Sequence, residues 1–306
     1  MSEESVVSSG TRYGNNLVST VSAILIWSTS FVATKISYVS FPPFTVGFLR
    51  FFIATVVLVI VVFIRREFRK VSSLRDFGLL SVSGILGITF YFALENTGVK
   101  LTSASDAAMI VSSYPAITAI LELLVFKVKT TFVKTVGIVL AVGGVCELSF
   151  SAHMSLDTTQ VLGNILLVIA GVAWTFYNFV TSTVVNSYPA TTVSLYQTVI
   201  GTTAFIPLAG TELHQWTQPN MESFLALLYL GICCSVVAFL LYNYGLRKLS
   251  SSTVVTMMNL VPVFGVMFSV LILHESLELK QLIGGIVVLV GVYLTLHQYN
   301  SKHRFE

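Results

Sequence analysis

The stretch NTGVKLTSASDAAMIVSSYP, residues 96–115, returns in altered form as NYGLRKLSSSTVVTMMNLVP, residues 243–262. Asn96 aligns with Asn243, Gly98 with Gly245, Ser103 with Ser250, Ser105 with Ser252 and Pro115 with Pro262, all at one offset of 147 residues. Carried outward without a gap, the same offset pairs Trp27 with Trp174, Pro42 with Pro189, Thr45 with Thr192, Gly84 with Gly231, Gly137 with Gly284 and Gly144 with Gly291. Self-similarity at a fixed period marks a repeated structural unit, so the chain is one unit written twice.

Composition says where that unit resides. Of 306 residues, 55% are hydrophobic and 10% charged, whereas a soluble domain carries about 25% charged residues. A mean hydropathy of +0.85 agrees with a chain that lives in a lipid bilayer. The net charge of +3 sits in short loops between apolar runs, which argues against nucleic acid as a partner. Cys146, Cys233 and Cys234 all lie inside apolar runs and read as small packing residues, not as a disulfide or zinc framework. The first apolar run is trailed by Pro42 and Pro43 rather than by a small-residue cleavage site, so it reads as a span and not a leader.

A crossing helix needs about 20 apolar residues, and the sequence predicts ten such spans. They fall at 17–38, 44–64, 77–97, 104–126 and 133–150, then at 162–184, 191–209, 224–246, 252–273 and 280–298. The expected fold class is an all-α polytopic membrane protein, with one five-helix repeat over 17–150 and a second over 162–298. Short basic loops stay cytoplasmic. With the N-terminus inside, Arg12, the Arg65 to Arg75 cluster, Lys127, Lys129, Lys134, Arg247, Lys248, Lys302 and Arg304 lie inside, and only Lys100 and Lys280 lie outside. Both termini are therefore expected in the cytoplasm and the chain in the cell membrane. Five is odd, so the second copy enters from the face opposite the first. Inverted repeats of this kind characterise secondary transporters, with the binding site near the midplane between the halves.

Two pairs of stripes are candidate walls of that site. Pro115 and Pro262 each remove a backbone donor, freeing the carbonyls of Val111 and Met258, which lipid tolerates only beside protein or a wet cavity. Ahead of each proline, Ser105, Met109 and Ser112, and in the other copy Ser252, Thr256 and Asn259, recur at i, i+4, i+7 on one helical face. Trp27, Ser30 and Thr34 match Trp174, Tyr177 and Thr181 at i, i+3, i+7. Asn178, Tyr91 and Tyr242 are further candidates to line the space. Helix-to-helix hydrogen bonding is the plainer role for any one serine; matched stripes beside matched prolines favour a cavity.

An ionisable side chain at the bilayer centre costs roughly 2.5–3.5 kcal/mol on insertion scales and is a functional candidate. Arg50, whose twin is Gln197, is the candidate for holding an anionic group such as a substrate carboxylate; the alternative is a structural ion pair. Lys35, Glu95, Asp106 and Glu147 fall toward the outer ends of their spans, where pairing or contact with water accounts for them. Glu122 lies toward the inner end of its span. The glycine pairs Gly137, Gly144 and Gly284, Gly291 suit close packing between halves or between subunits. No GxxxxGK, GxSxG or HExxH pattern occurs, so no cofactor, metal or catalytic residue is expected. The basic 65–75 loop fixes topology and meets anionic headgroups.

The WSTSFVATK stretch at 27–35, the FLRF at 48–51 and the two Asn-x-Gly to Pro stretches together resemble the drug/metabolite transporter superfamily, and within it the EamA family of ten-span carriers. The resemblance runs over 17–298. It implies a two-basket fold of inverted five-helix repeats, a central cavity lined by spans one to four and six to nine, and movement of small metabolites, often amino-acid export in bacteria. Such proteins often carry Gly-Glu after the fourth and ninth spans. Here His274-Glu275 approximates that pair, and the first half reads Phe126-Lys127. Related small multidrug resistance proteins use a glutamate in their first helix, which this first span lacks.

The leading expectation is thus a secondary transporter of a small molecule, embedded in the bilayer as monomer or homodimer, with an amino acid or similar zwitterion as the substrate class. Uptake or exchange of other solutes, such as nucleotide sugars, organic acids or lipophilic cations, is the alternative. A membrane-embedded enzyme would need a nucleophile and base or metal ligands at one face. A channel would need symmetry along the membrane normal, which an inverted repeat lacks.

Overall fold

The structure is a computed structural model that describes residues 17–125, 127, 131–150, 158–184, 187–246, 257, 258 and 260–302. Every regular element among them is helical. We number the helices α1 (Leu17–Ser37), α2 (Pro43–Arg65), α3 (Leu74–Leu101), α4 (Ala104–Val125), α5 (Phe132–Phe150), α6 (Thr158–Ser182), α7 (Ala190–Gly210), α8 (Met221–Tyr242), α9 (Leu260–Leu273) and α10 (Leu279–Lys302). Six of them, α1 to α4, α6 and α8, are long and apolar enough to cross a membrane. Phe52, Val56, Val59, Ile60 and Phe63 form an exposed apolar stripe on α2, a face that belongs against lipid rather than water. The less apolar α7 turns its polar side inward, with Thr192, Gln197, Thr198 and Thr202 buried.

Local chemistry sets the helix ends. Pro43 starts α2 at a position where its missing N–H costs nothing. The Ser73, Ser103 and Asn220 side chains accept from the backbone N–H three residues on, opening α3, α4 and α8. Lys127 and His274, twins at the repeat offset, share a left-handed backbone with φ of 53° and 54°; those conformations are the natural place of a glycine.

Besides a one-residue turn in α1 at Thr29, the structure departs from ten plain helices in two respects. First, α3 and α8 each contain a π-helical segment, Ile85–Phe90 and Leu230–Val237, and the two segments end at twin positions. Second, α4 is interrupted: its first half ends at Val111 and its second begins at Tyr114, so the break, at Ser112 and Ser113, ends two residues before Pro115. Ser112 and Ser113 turn their hydroxyls back to the carbonyls of Met109 and Ile110.

Contacts between the halves are reciprocal. At the end of α2 the Glu67 carboxylate and carbonyl accept from the hydroxyls of Thr191 and Thr192 at the start of α7, both at 2.7 Å. Glu212, just past α7, in turn accepts from the Thr45 N–H at 2.7 Å and the Thr45 hydroxyl at 3.0 Å, at the start of α2. The two helices therefore run antiparallel, and between them the twin hydroxyls of Thr55 and Thr202 meet at 3.3 Å. A Cβ built on Gly144 would come within 2.7 Å of the Gly284 carbonyl oxygen, and one on Gly291 within 2.6 Å of the Gly137 carbonyl oxygen. That places α5 and α10 antiparallel at backbone contact, and the paired glycines join the two halves of one chain.

Candidate functional site

The helices enclose a cavity of about 730 Å³, within the usual range of roughly 300–1,000 Å³ for small-molecule sites. Its walls come from α1 to α4 and α6 to α9 and the segments flanking them; among the described residues, none of α5 or α10 contributes. The cavity runs along α2 from buried Arg50 to exposed Arg65, a helical length of about 22 Å at 1.5 Å per residue.

Two aromatic clusters line it, each drawn from both halves. Trp27 sits 5.4 Å from Tyr242 and 5.1 Å from Phe239 between ring centroids. Its indole N–H donates to the Cys234 carbonyl at 3.0 Å, inside the π-helical segment of α8. Trp174, the twin, lies 5.1 Å from Tyr91 and 4.9 Å from Tyr177. The Tyr177 ring rests where a Cβ on Gly87 would come within 2.3 Å, so Gly87 makes room for it in the π-helical segment of α3.

Arg50 forms the deep polar wall. It is 6% exposed, its Nε donates to the Ser235 hydroxyl at 2.7 Å, and its guanidinium lies 4.7 Å from the centroid of the Phe92 ring. No carboxylate among the described residues comes within 4.0 Å of it, the one ion pair there being Lys134 with Glu122 at 3.2 Å. The structural-pair alternative for Arg50 has no contact partner within that distance among those residues, and Glu95 faces it from farther off. Gln197, its twin, is tied down instead, donating to Ser83 at 2.9 Å and Thr181 at 3.0 Å.

Of the residues the sequence nominates, Trp27, Ser30, Arg50, Tyr91, Ser112, Trp174, Tyr177, Asn178 and Tyr242 all line the cavity. Asn178 is exposed to it, where the sequence implied burial, and its amide donates to the Trp174 carbonyl at 2.8 Å. Ser105 and Met109 are not in the lining, which corrects the stripe drawn through Ser112. The Ser105 N–H and hydroxyl donate to Glu275 at 3.0 and 2.7 Å, and Met109 packs where a Cβ on Gly285 would come within 2.6 Å of its sulfur. The Ser112 N–H still bonds to the Ala108 carbonyl, so the register runs through to Ser112, and the lining follows Ala108, Val111, Ser112 and Pro115 instead. Thr256 and Asn259 lie outside the described residues.

Among the wall residues that escape the sequence reading, Glu95, Ser235 and Tyr114 bear most on the deep end. Glu95, 8% exposed, lines the cavity instead of pairing at an outer end, and its Oε1 accepts from the Tyr91 hydroxyl at 2.7 Å. Ser235 anchors Arg50, and Tyr114 packs beside Tyr91 with centroids 6.3 Å apart. The i, i+4 spacing of Tyr91 and Glu95 was the available signal for the first. Away from the cavity, Asp106 is fully buried and accepts from Gln160 at 2.7 Å and Gln281 at 2.9 Å. Glu275 also takes the Ala104 N–H at 2.8 Å, and Lys35 donates to the Thr102 carbonyl. Together these bonds close the end of the molecule beyond Arg50.

Comparison with known proteins accounts for this arrangement. The model of the EamA-like transporter family matches residues 16–150 and again residues 161–297. An uncharacterized transporter of Archaeoglobus fulgidus is 30% identical over 276 residues, covering 89% of this chain and 94% of that protein. A probable terminal-alkyne amino-acid exporter of Streptantibioticus cattleyicolor is 22% identical over 287 residues, 93% of this chain and 94% of its own length. A solved crystal structure superposes with a TM-score of 0.62 at 20% identity, over 92% of this chain and 96% of the other, and so shares the fold. With both halves matched and apolar helices surrounding a central cavity, the chain belongs to the EamA-like transporter family and is a multi-pass membrane transporter of the drug/metabolite transporter superfamily.

Proposed function

We propose that this transporter is a secondary carrier that moves small polar or amphipathic metabolites, amino acids foremost, by alternating access between two inverted five-helix repeats, 17–150 and 162–298. The observation that carries the reading is Arg50, a buried guanidinium on the wall of a 730 Å³ cavity with no carboxylate of the described chain in reach. A guanidinium there presents a planar fork to a carboxylate, and the aromatic rings of Trp27 and Trp174 supply apolar faces for a side chain. Antiparallel α2 and α7, and antiparallel α5 and α10, support the inverted arrangement. The name of the Streptantibioticus relative supports amino acids as cargo and export as the direction. Basic residues of the short loops support a cytoplasmic location for both termini in the cell membrane.

The test is flux. Purified protein in liposomes loaded with a panel of amino acids is expected to move a subset of them, with rates compared with and without a proton gradient. Absence of flux for the whole panel, together with turnover of a lipid or nucleotide, overturns the carrier reading.

A further inference from the structure

The duplication gives the cavity two sets of twin positions, and charge occupies the deep wall in one set alone. Arg50 is matched across the repeat by Gln197 and Glu95 by Tyr242, and all four line the cavity. Both deep charges come from the first half, and both are buried.

They are near enough to attract, yet no ion pair forms between them within 4.0 Å. Opposite charges in a low-dielectric space attract strongly, so something must hold them in place. Arg50 is held by Ser235 on its Nε and by the ring faces of Phe92 and Phe51, at 4.7 and 5.5 Å. Glu95 is held by the Tyr91 hydroxyl on Oε1. Phe92 and Glu95 are three residues apart on α3 and share a face, so the guanidinium over Phe92 and the carboxylate of Glu95 lie along one wall. The result is a fixed cation and a fixed anion, each clamped by a neutral partner, with open cavity before them.

We infer that Glu95 is the specificity-determining partner of Arg50: it takes the ammonium group of a zwitterionic substrate whose carboxylate Arg50 holds, and so selects amino acids over plain carboxylic acids and plain amines. This rests on the carrier reading above and assigns it a second pole. A ligand with both charges satisfies both buried groups. A carboxylic acid without the amine leaves Glu95 buried and unpaired, and an amine without the acid does the same to Arg50, a situation that discriminates strongly because the unpaired group stays desolvated.

The experiment is titration calorimetry on the purified full-length protein in detergent micelles with two ligand sets: L-phenylalanine with phenylpropionate and phenethylamine, and L-leucine with isocaproate and isoamylamine. The wild type is expected to bind at least one amino acid, and both of its one-charge analogues at least about tenfold more weakly. Glu95→Gln keeps the size and an acceptor for Tyr91. It is expected to weaken amino-acid binding by about tenfold or more while leaving the matching carboxylic acid within about twofold of wild type, so that the selectivity between them collapses. A merely structural Glu95 would weaken both ligands together. Should Glu95→Gln fail to fold, Tyr91→Phe, which removes the clamp and keeps the ring, reads the same ratio. Unchanged selectivity in the variant that folds, or an equal loss for both ligands, overturns the role of Glu95 and leaves the carrier reading in place. A wild type that binds neither amino acid but transports another class of solute overturns the amino-acid reading and this inference together.

Discussion

At the scale of single residues, Arg50 is the sharpest case. Its Nε is fixed by Ser235 and its face by Phe92, which leaves the terminal nitrogens as donors toward the cavity. Arg50→Gln should weaken binding of a carboxylate-bearing substrate by about ten- to a hundredfold, the value of hydrogen bonds to a charged group of about 1.5–3 kcal/mol. Equilibrium titration checks it, and Arg50→Lys should restore little, because a point charge cannot reproduce the planar fork. Unchanged affinity in Arg50→Gln would remove the residue from the site. The place of Arg50 on an inner wall was readable from the sequence because a charge within an apolar run needs a reason. Glu95 was not, because its distance from the end of a hydrophobic stretch gives depth but not direction, and a carboxylate facing inward looks the same in one dimension as one facing water. Ser105 and Met109 failed for a related reason. Helical spacing put them on a face with Ser112, but the spacing does not say which neighbour covers that face at each level, and Glu275 and Gly285 cover it at Ser105 and Met109.

At the scale of helices, the repeat was legible because glycines and prolines survive at one offset, and the structure gives them a shared job. Adjacent positions on α5 separate packing from composition: a Cβ on Gly144 meets the Gly284 carbonyl at 2.7 Å, while nothing lies within 4 Å of one on Gly143. Gly144→Leu should therefore destabilise the protein by about 1–3 kcal/mol through overpacking, and Gly143→Leu should change little, as thermal unfolding in detergent would show. Equal effects would mean that the two helices are not held at backbone contact. The π-helical segments of α3 and α8 were not legible, since an i to i+5 bond leaves no mark in composition, yet they supply Gly87, Ile88, Ser235 and Val236 to the cavity wall. The end of α4 is a further joint. Glu275 accepts three bonds from its first turn, at 2.7 to 3.0 Å, and so ties α4 to the segment after α9. In the proposed alternating carrier, this clasp is expected to open when the cavity turns to the other face. Glu275→Gln should weaken it and raise labelling of a Ser30→Cys probe, in a background free of other cysteines, by a membrane-impermeant thiol reagent added from outside. Labelling equal to that of the parent would assign Glu275 to folding alone.

At the scale of the whole molecule, the connecting segments sort into two groups. At one end, Arg69 reaches the Ser187 carbonyl at 3.5 Å and the Tyr188 hydroxyl donates to Asp76 at 2.8 Å, a bond to a carboxylate that pushes the Tyr188 pKa above its ordinary value. At the other end, the Thr217 hydroxyl donates to the Ser40 carbonyl at 3.3 Å and the Asn220 N–H to the Ser40 hydroxyl at 3.2 Å. The segment after α2 thus meets the one before α7, and the segment before α2 meets the one after α7, as two copies related by inversion require. In the proposed orientation, with the basic cluster at 65–75 in the cytoplasm, the cavity, running from Arg50 to Arg65, opens inward and is closed outward. A definite labelling pattern follows. Cysteines introduced as Ser73→Cys and Ser187→Cys should react with an impermeant thiol reagent only after the cells are opened, whereas Thr217→Cys should react in intact cells. Ser73 and Ser187 belong to different halves and flank different helices, so a chain whose halves entered the membrane in the same sense would separate them to opposite faces. Reaction of one but not the other from outside would therefore refute the inverted duplication and with it the rocking of two halves about a midplane site.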